Sequence, residues 1–512
     1  MTVFTRRRFL KTAVSTLGVG LSYRHRDGLG APRAPLPDAA PECLPRWRGF
    51  NLLNYFMEHR QYPYEERVFQ AIADFGFNFV RIPLDYRCWI EEGDWNQINS
   101  EKIDTILRVL EFGEKYSIHV MLNFHRAPGY TVAWPQEKKS LWTDPEARDI
   151  CCRHWSEFAR RCQGVPNSHL SFNLFNEPRT GNEEETLPAT IQVIEAIRAE
   201  DPNRLICCDG IEWGRRPIPG LIPYKVAQAT RGYDPMDITH YQADWVDSKG
   251  YREPGWPLMI ANGLLVSPQK TEVPERLRRP ISIEGPFEGG ERLRMKVQTV
   301  SDDCLLVVEA DGEEIFRRPF TPGKGEVEWK EEHWTQWNIW QNLYDLDVFV
   351  EIPAGARKLT IRNTEGDWLA ISELGLTFAP DAKEHVFPLS IDWSGNSGTE
   401  LTWSRQGRWR SADVFDRKRL RECNIKPWTD LSQKGVGVMV GEFGVSSKTP
   451  HDVALRWLED NLANWQEAGF GWAMWNWNGW FGVADSDRTD AEYESQYGWR
   501  IDKKMMALLQ RY

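Results

Sequence analysis

His169-Leu170-Ser171-Phe172-Asn173-Leu174-Phe175-Asn176-Glu177-Pro178 is the stretch that decides the fold. Its largely apolar first part reads as a buried strand, and Asn176 and Glu177 end it in polar groups. A helical pattern at about 145–162 precedes it. The same order repeats along the chain. Val68, Phe69, Ile72 and Phe75 share one helical face before Gly76-Phe77-Asn78-Phe79-Val80-Arg81-Ile82, and Ile103, Ile106, Leu107 and Leu110 do so before Ile118 to Phe124. Ile191 to Ala199 precedes Arg204 to Cys208; further on, helical patterns lead into Gly437 to Gly441 and Gly469 to Trp475. Strands alternating with helices predict a parallel sheet.

With Gly49 to Leu53 as the first strand and Met236 to Thr239 as the sixth, the count reaches eight. The expected fold class is α/β: a (β/α)8 barrel whose site lies at the strand C-terminal ends. An open doubly wound sheet would need a phosphate-binding glycine loop after the first strand, and none is there. Arg81, His125, Asn176, Glu177, His240, Tyr241, Glu442 and Trp475 all fall at predicted strand ends, where core packing explains polar residues least.

From 264 to 383 the rhythm changes to short period-two segments separated by Asp311-Gly312, Pro322-Gly323 and Pro353-Ala354-Gly355. That pattern predicts an inserted all-β sandwich after barrel strand six. The expected layout is an export signal and linker at 1–31, barrel at 32–263, insert at 264–383 and barrel again at 384–512. Trp329, Trp334, Trp337, Trp340 and Tyr344 cluster in the insert, either as a sugar-stacking edge or as packing against a neighbour.

The 512 residues carry a net charge of −11 and 25 tryptophans. An acidic balance argues against nucleic acid and anionic membranes as partners. A neutral ligand with flat apolar faces suits the tryptophans better, and Trp134, Trp142, Trp213, Trp245, Trp256 and Trp480 fall in or near the predicted rim loops. Thr5-Arg6-Arg7-Arg8-Phe9-Leu10-Lys11, followed by a mildly apolar stretch to Ser22, resembles a twin-arginine export signal. A secreted or periplasmic protein is expected, with no membrane span and as a monomer. The nine cysteines include adjacent pairs at Cys151-Cys152 and Cys207-Cys208 and no metal-ligand spacing, so neither a disulfide framework nor a metal is expected.

Phe175-Asn176-Glu177-Pro178, Gly441-Glu442-Phe443-Gly444, Val80-Arg81-Ile82-Pro83, His125-Arg126-Ala127-Pro128-Gly129 and Trp472-Ala473-Met474-Trp475-Asn476 with Phe481-Gly482-Val483 together resemble glycoside hydrolase family 5. The resemblance covers nearly all of the chain outside the signal and the insert. It implies a retaining β-glycoside hydrolase without a cofactor, acting on a β-linked polysaccharide or oligosaccharide. β-Glucan is the first expectation; β-mannan or an exo-acting β-glycosidase is the alternative.

By the same resemblance Glu177 is the acid/base and Glu442 the nucleophile, with Arg81 beside Glu442. Asn176 binds the sugar 2-hydroxyl, and His125 and Trp475 line the subsite of the cleaved sugar. Retention requires two carboxyls roughly 5–5.5 Å apart with different proton affinities. Many members carry His and Tyr two residues apart on strand six, whereas His240 and Tyr241 are adjacent, so a bulge or Thr239 has to make up the difference. Two other classes compete: a metal hydrolase using His125, His240 and Glu442, and a non-catalytic carbohydrate-binding protein.

Overall fold

The computed structural model describes residues 34–246, 248, 251, 253–321, 330–334, 339–378, 383–393, 399–406 and 408–512. The twin-arginine segment, Trp329 and Trp337 lie outside the described residues, as does the side chain of Trp334. Within the unit Leu36–Tyr512, eight parallel strands close a barrel. In chain order they are Arg48–Asn51, Phe79–Asp85, His119–Ala127, Leu170–Asn173, Ile206–Asp209, Ala227–Gly232, Val438–Phe443 and Gly471–Met474. Each pairs with the next, and strand eight returns to strand one through Arg48↔Trp472, Gly49↔Ala473 and Phe50↔Met474.

Local chemistry sets the helix ends. Asp144 caps helix Pro145–Arg161, its Oδ1 accepting from Glu146 N at 2.9 Å and Ala147 N at 3.2 Å, and Pro145 sits in the first turn, where it needs no hydrogen-bond partner. Asn182 caps helix Glu183–Glu200 in the same way. Helix His451–Ala468 ends at Gly469, whose φ of 76° lets the chain turn into strand eight.

Successive strand residues face opposite sides, so the barrel interior is built in layers. Trp47, Phe79, Met121, Cys207, Ala229, Met439 and Ala473 form one apolar layer. Closer to the C-terminal ends of strands one to six stand Asn51, Arg81, Asn123, Asn173, Asp209 and Arg231, all buried. A polar layer thus rests on an apolar floor at the C-terminal end of the strands. Glu442 has the wrong parity for this layer, since Val440 packs outward against the helices. A register shift between Val440 and Glu442 corrects it. Gly441 sits at that shift, and a Cβ there would lie 2.7 Å from Arg231 Nη1, so only glycine leaves room for the bulge.

The structure corrects the sixth strand. It is Ala227–Gly232; Met236–Thr239 is a short helix. Consequently His240 and Tyr241 do not end a barrel strand. The true strand escapes a search for apolar runs because its outward residues are polar. Gln228 bonds both the N and the O of Ile218 at 2.8 Å, and the Thr230 hydroxyl donates to Gly214 O at 3.0 Å.

The chain between strands six and seven carries a ten-stranded sheet, mostly antiparallel. Its longest members, Glu291–Ala310 and Lys358–Phe378, pair along their length with several register shifts. Leu293, Met295, Val308, Ile361, Leu374 and Trp403 belong to its main apolar core. His385–Pro388, Glu400–Ser404 and Arg408–Ser411 are part of the same sheet. The boundary expected at 383 therefore falls inside it, because these strands are short and polar enough to read as loops. Leu258–Met259 and Val414–Phe415 pair where the chain leaves and re-enters the barrel, and Trp256 Nε1 donates to Asp460 on helix His451–Ala468 at 2.9 Å. No helix among the described residues is long and apolar enough to cross a membrane.

Candidate active site

Two arginines organise the polar layer. Arg81 of strand two is fully buried; its Nη1 donates to Glu442 Oε1 at 2.5 Å and to Asn51 Oδ1 at 3.0 Å. Its Nε meets Asn173 Oδ1, and its Nη2 meets Asn176 Oδ1, both at 2.9 Å. Arg231 of strand six reaches further across. Its Nε donates to Glu177 Oε1 at 2.9 Å, while Nη2 meets Asn176 Oδ1 at 3.0 Å and Glu442 Oε1 at 3.4 Å. Asp209, at the end of strand five, holds the same Nη2 through Oδ2 and accepts from Glu177 N at 3.0 Å. A guanidinium is planar and small, so the carboxyls of Glu177 and Glu442 flank one space.

The two glutamates differ in setting. Glu442 has two guanidiniums at Oε1 and the Tyr233 hydroxyl at Oε2, 3.3 Å away. Glu177 stands past the end of strand four at φ 51°, a left-handed conformation that swings its side chain over the barrel mouth. Burial and the neighbouring Glu442 push its carboxyl up to about 7 against the pull of Arg231. The chemically identical pair is thereby split into one group suited to hold a proton and one surrounded by donors.

Asn176 completes the centre. Its Oδ1 accepts from both arginines, which fixes the amide orientation, and its buried Nδ2 has no protein partner among the described residues. The ring of His125, buried at the end of strand three, lies nearly parallel to that of Trp475 with centroids 5.6 Å apart and meets Phe56 at 4.5 Å. Burial, reinforced by Arg81 and Arg231, keeps that imidazole neutral, well below the usual histidine range. The Trp475–Asn476 peptide bond is cis.

Arg81, His125, Asn176, Glu177, Glu442 and Trp475 are thus gathered around one opening. His240 lies beside it, its ring 5.2 Å from Tyr233 and 5.5 Å from Phe481, with burial lowering its proton affinity to about 4. Tyr241 makes no described contact to either carboxyl. The strand-six place is instead taken by Arg231-Gly232-Tyr233, with the two-residue spacing that the adjacent His240 and Tyr241 lack. Tyr233, Arg231 and Asp209 were missed. Asp209 ends a strand in a polar group as the others do, while Arg231 and Tyr233 became legible only once the sixth strand was placed.

Two aromatic groups border the site. Trp245 and Trp480 are exposed, 6.3 Å apart, and Trp245 packs on Phe481. On the Glu177 side, a cavity of about 370 Å³ is lined by Tyr130, Gln136, Glu137, Trp142 and Arg179 among others. The Tyr130 hydroxyl donates to Glu177 O at 2.6 Å, so the cavity adjoins the Glu177 backbone. Trp256 is buried in the barrel's apolar core, whereas Trp134 and Trp213 are exposed. Among the described residues, no group of three His, Cys, Asp or Glu side chains is gathered as metal ligands.

Residues 38–245 match the family model described as Cellulase (glycosyl hydrolase family 5). Endoglucanase C of Acetivibrio thermocellus is 24% identical over 211 residues, 39% of this chain and 61% of its own length. The chain therefore spans less than two thirds of that relative. A crystal structure of a glycoside hydrolase superposes with a TM-score of 0.58 at 27% identity, covering 91% of this chain and 99% of the other. Endoglucanase Cel5A from Thermotoga maritima shares the fold at a TM-score of 0.50 and 15% identity, covering 90% of this chain and 96% of its own. The fold is the (β/α)8 barrel that these solved glycoside hydrolase structures share. The match at 38–245 makes this part of the chain similar to glycosyl hydrolase family 5.

Proposed function

We propose that this protein hydrolyses a β-linked glucan with retention of configuration, Glu442 acting as nucleophile and Glu177 as acid/base. The observation that carries this reading is the single Arg231 guanidinium touching both carboxyls, with Glu177 displaced toward the protonated state by burial and by the neighbouring Glu442. In the first step an oxygen of Glu442 attacks the anomeric carbon. The glycosidic C–O bond breaks with its electron pair going to the leaving oxygen, which takes the proton of Glu177. Water then gives a proton to Glu177 and attacks the same carbon, and the ester bond breaks to restore the Glu442 carboxylate.

Asn176 Nδ2, a buried donor without a protein partner among the described residues, is suited to the sugar 2-hydroxyl, a contact that strengthens as charge develops on the ring. Neutral His125 and Trp475 line the same subsite. Leaving sugars lie on the acid side, where Trp142, Gln136 and Arg179 offer an apolar face and polar groups. Export by the twin-arginine route belongs to the same reading. So does sugar binding by the inserted sheet, where Trp340 stacks on His333 at 4.8 Å and the indole of Trp393 is exposed.

A polysaccharide panel with product sizing tests the substrate. β-1,4-Glucan or mixed-linkage glucan is expected to release reducing ends faster than β-mannan or xylan, as short oligosaccharides. A mannan preference would replace the glucan assignment, and no release from any β-glycan would refute the activity.

A further inference from the structure

Double displacement, on which this inference rests, moves one negative charge between two fixed carboxyls. It begins on Glu442; once the ester has formed and Glu177 has given up its proton, it resides on Glu177. In a buried site such a charge is costly wherever it lacks an opposite charge. Arg81 cannot follow it, since that guanidinium bonds Glu442 but not Glu177. Arg231 contacts both, at 2.9 Å and 3.4 Å.

We infer that Arg231, anchored by Asp209, is a shared counter-ion for the two carboxyls, serving Glu442 in the resting protein and Glu177 in the glycosyl-enzyme. Counting formal charges supports the role. Arg81 and Arg231 are balanced by Asp209 and Glu442 at rest, and by Asp209 and Glu177 in the intermediate. The layer stays neutral throughout, and only the seat of one charge changes. Asp209 also keeps Arg231 from drawing the proton off Glu177 too strongly. Its carboxylate takes up Nη2, leaving Nε for Glu177. Arg231 is 2% exposed, and its Nη1 bonds Thr230 O at 3.2 Å, so the fork is held in place from behind. Arg231 is a positioning residue in this account, acting through the two carboxyls.

The groups facing Glu177 are Arg231 and Tyr233 from strand six and its sequel, Asp209 from strand five, Glu442 from strand seven, Tyr130 after strand three, and Arg179 on its own loop. Arg81 stands beyond Asn176. Of these, Arg231 and Asp209 act on the Glu177 proton with opposite sign. Opposite substitutions must therefore move the pH profile in opposite directions. Glu177 has to be protonated in the free protein, so kcat/KM falls as pH rises through its pKa. In the wild type this alkaline limb is expected near 7.

The test is the pH dependence of kcat/KM on a cello-oligosaccharide for the wild type, R231Q, R231K and D209N. R231Q removes the cation that favours ionisation, so its limb moves up by roughly 1–3 pH units. D209N removes an anion, so its limb moves down. R231K keeps the charge without the fork and falls between wild type and R231Q. The glycosyl-enzyme formed from a 2-fluoro aryl β-glycoside is expected to reactivate more slowly in R231Q, because its Glu177 base is less ionised. Limbs at the wild-type pH in every folded variant, with only the height reduced, would make Arg231 a structural brace and overturn the proposal. If R231Q does not fold, the R231K and D209N limbs decide. A wild type that forms no glycosyl-enzyme with the 2-fluoro glycoside instead fails at the double displacement itself, a result separable from an unmoved limb.

Discussion

Glu442→Gln is expected to lower kcat on a cello-oligosaccharide by at least about 10⁴-fold, a loss of about 5 kcal/mol of transition-state stabilisation. The amide has nearly the shape of the carboxylate, and its oxygen can still accept from Arg81 Nη1, which now meets Glu442 Oε1 at 2.5 Å. What it lacks is an anionic oxygen able to bond the anomeric carbon. The fold should survive, so circular dichroism and the melting transition of the variant serve as controls beside the rate. A folded variant within tenfold of the wild-type rate would remove Glu442 from the reaction.

The second large effect should depend on the leaving group. Glu177→Ala is expected to reduce the rate on an unactivated glucan by about 10²–10⁴-fold, because the departing sugar oxygen then leaves without a proton. A dinitrophenyl β-cellobioside needs no such proton, so its first step should suffer far less. Its second step still lacks the base, so glycosyl-enzyme accumulates and KM falls together with kcat. Added azide should restore turnover by attacking the ester without a base. Equal losses on both substrates, with no effect of azide, would assign Glu177 to binding rather than proton transfer. Steady-state kinetics on the two substrates measures this directly.

Most of the barrel was legible because its strands are buried on both faces and read as apolar runs between amphipathic helices. Strand four shows the rule at its clearest, with Leu170–Asn173 buried throughout and Asn176 and Glu177 following at the mouth. Strand six shows where the rule fails. Its lumen-facing residues are Ala227, Ala229 and Arg231, and its other face bonds loop backbone through Gln228 and Thr230, so nothing in its hydropathy marks a strand. That misplacement carried His240 and Tyr241 to a strand end they do not occupy and hid Arg231 and Tyr233. The bulge that turns Glu442 inward was equally invisible. Parity alone would have pointed the residue at the helices, and only the register between strands six, seven and eight exposes the shift. Asp209 was within reach of the strand-end rule, and its pairing with Arg231 needed three-dimensional neighbours to be seen.

If two glutamates on opposite sides of one sugar carry out two successive inversions, the anomeric configuration of the substrate is kept in the product. Proton NMR of the first-formed product, recorded before mutarotation, reads that configuration. Hydrolysis of a β-linked cello-oligosaccharide should yield the β-anomer first, with the α-anomer growing in only as the sugar equilibrates. Initial appearance of the α-anomer would mean a single displacement by water, and Glu442 could then not be a nucleophile.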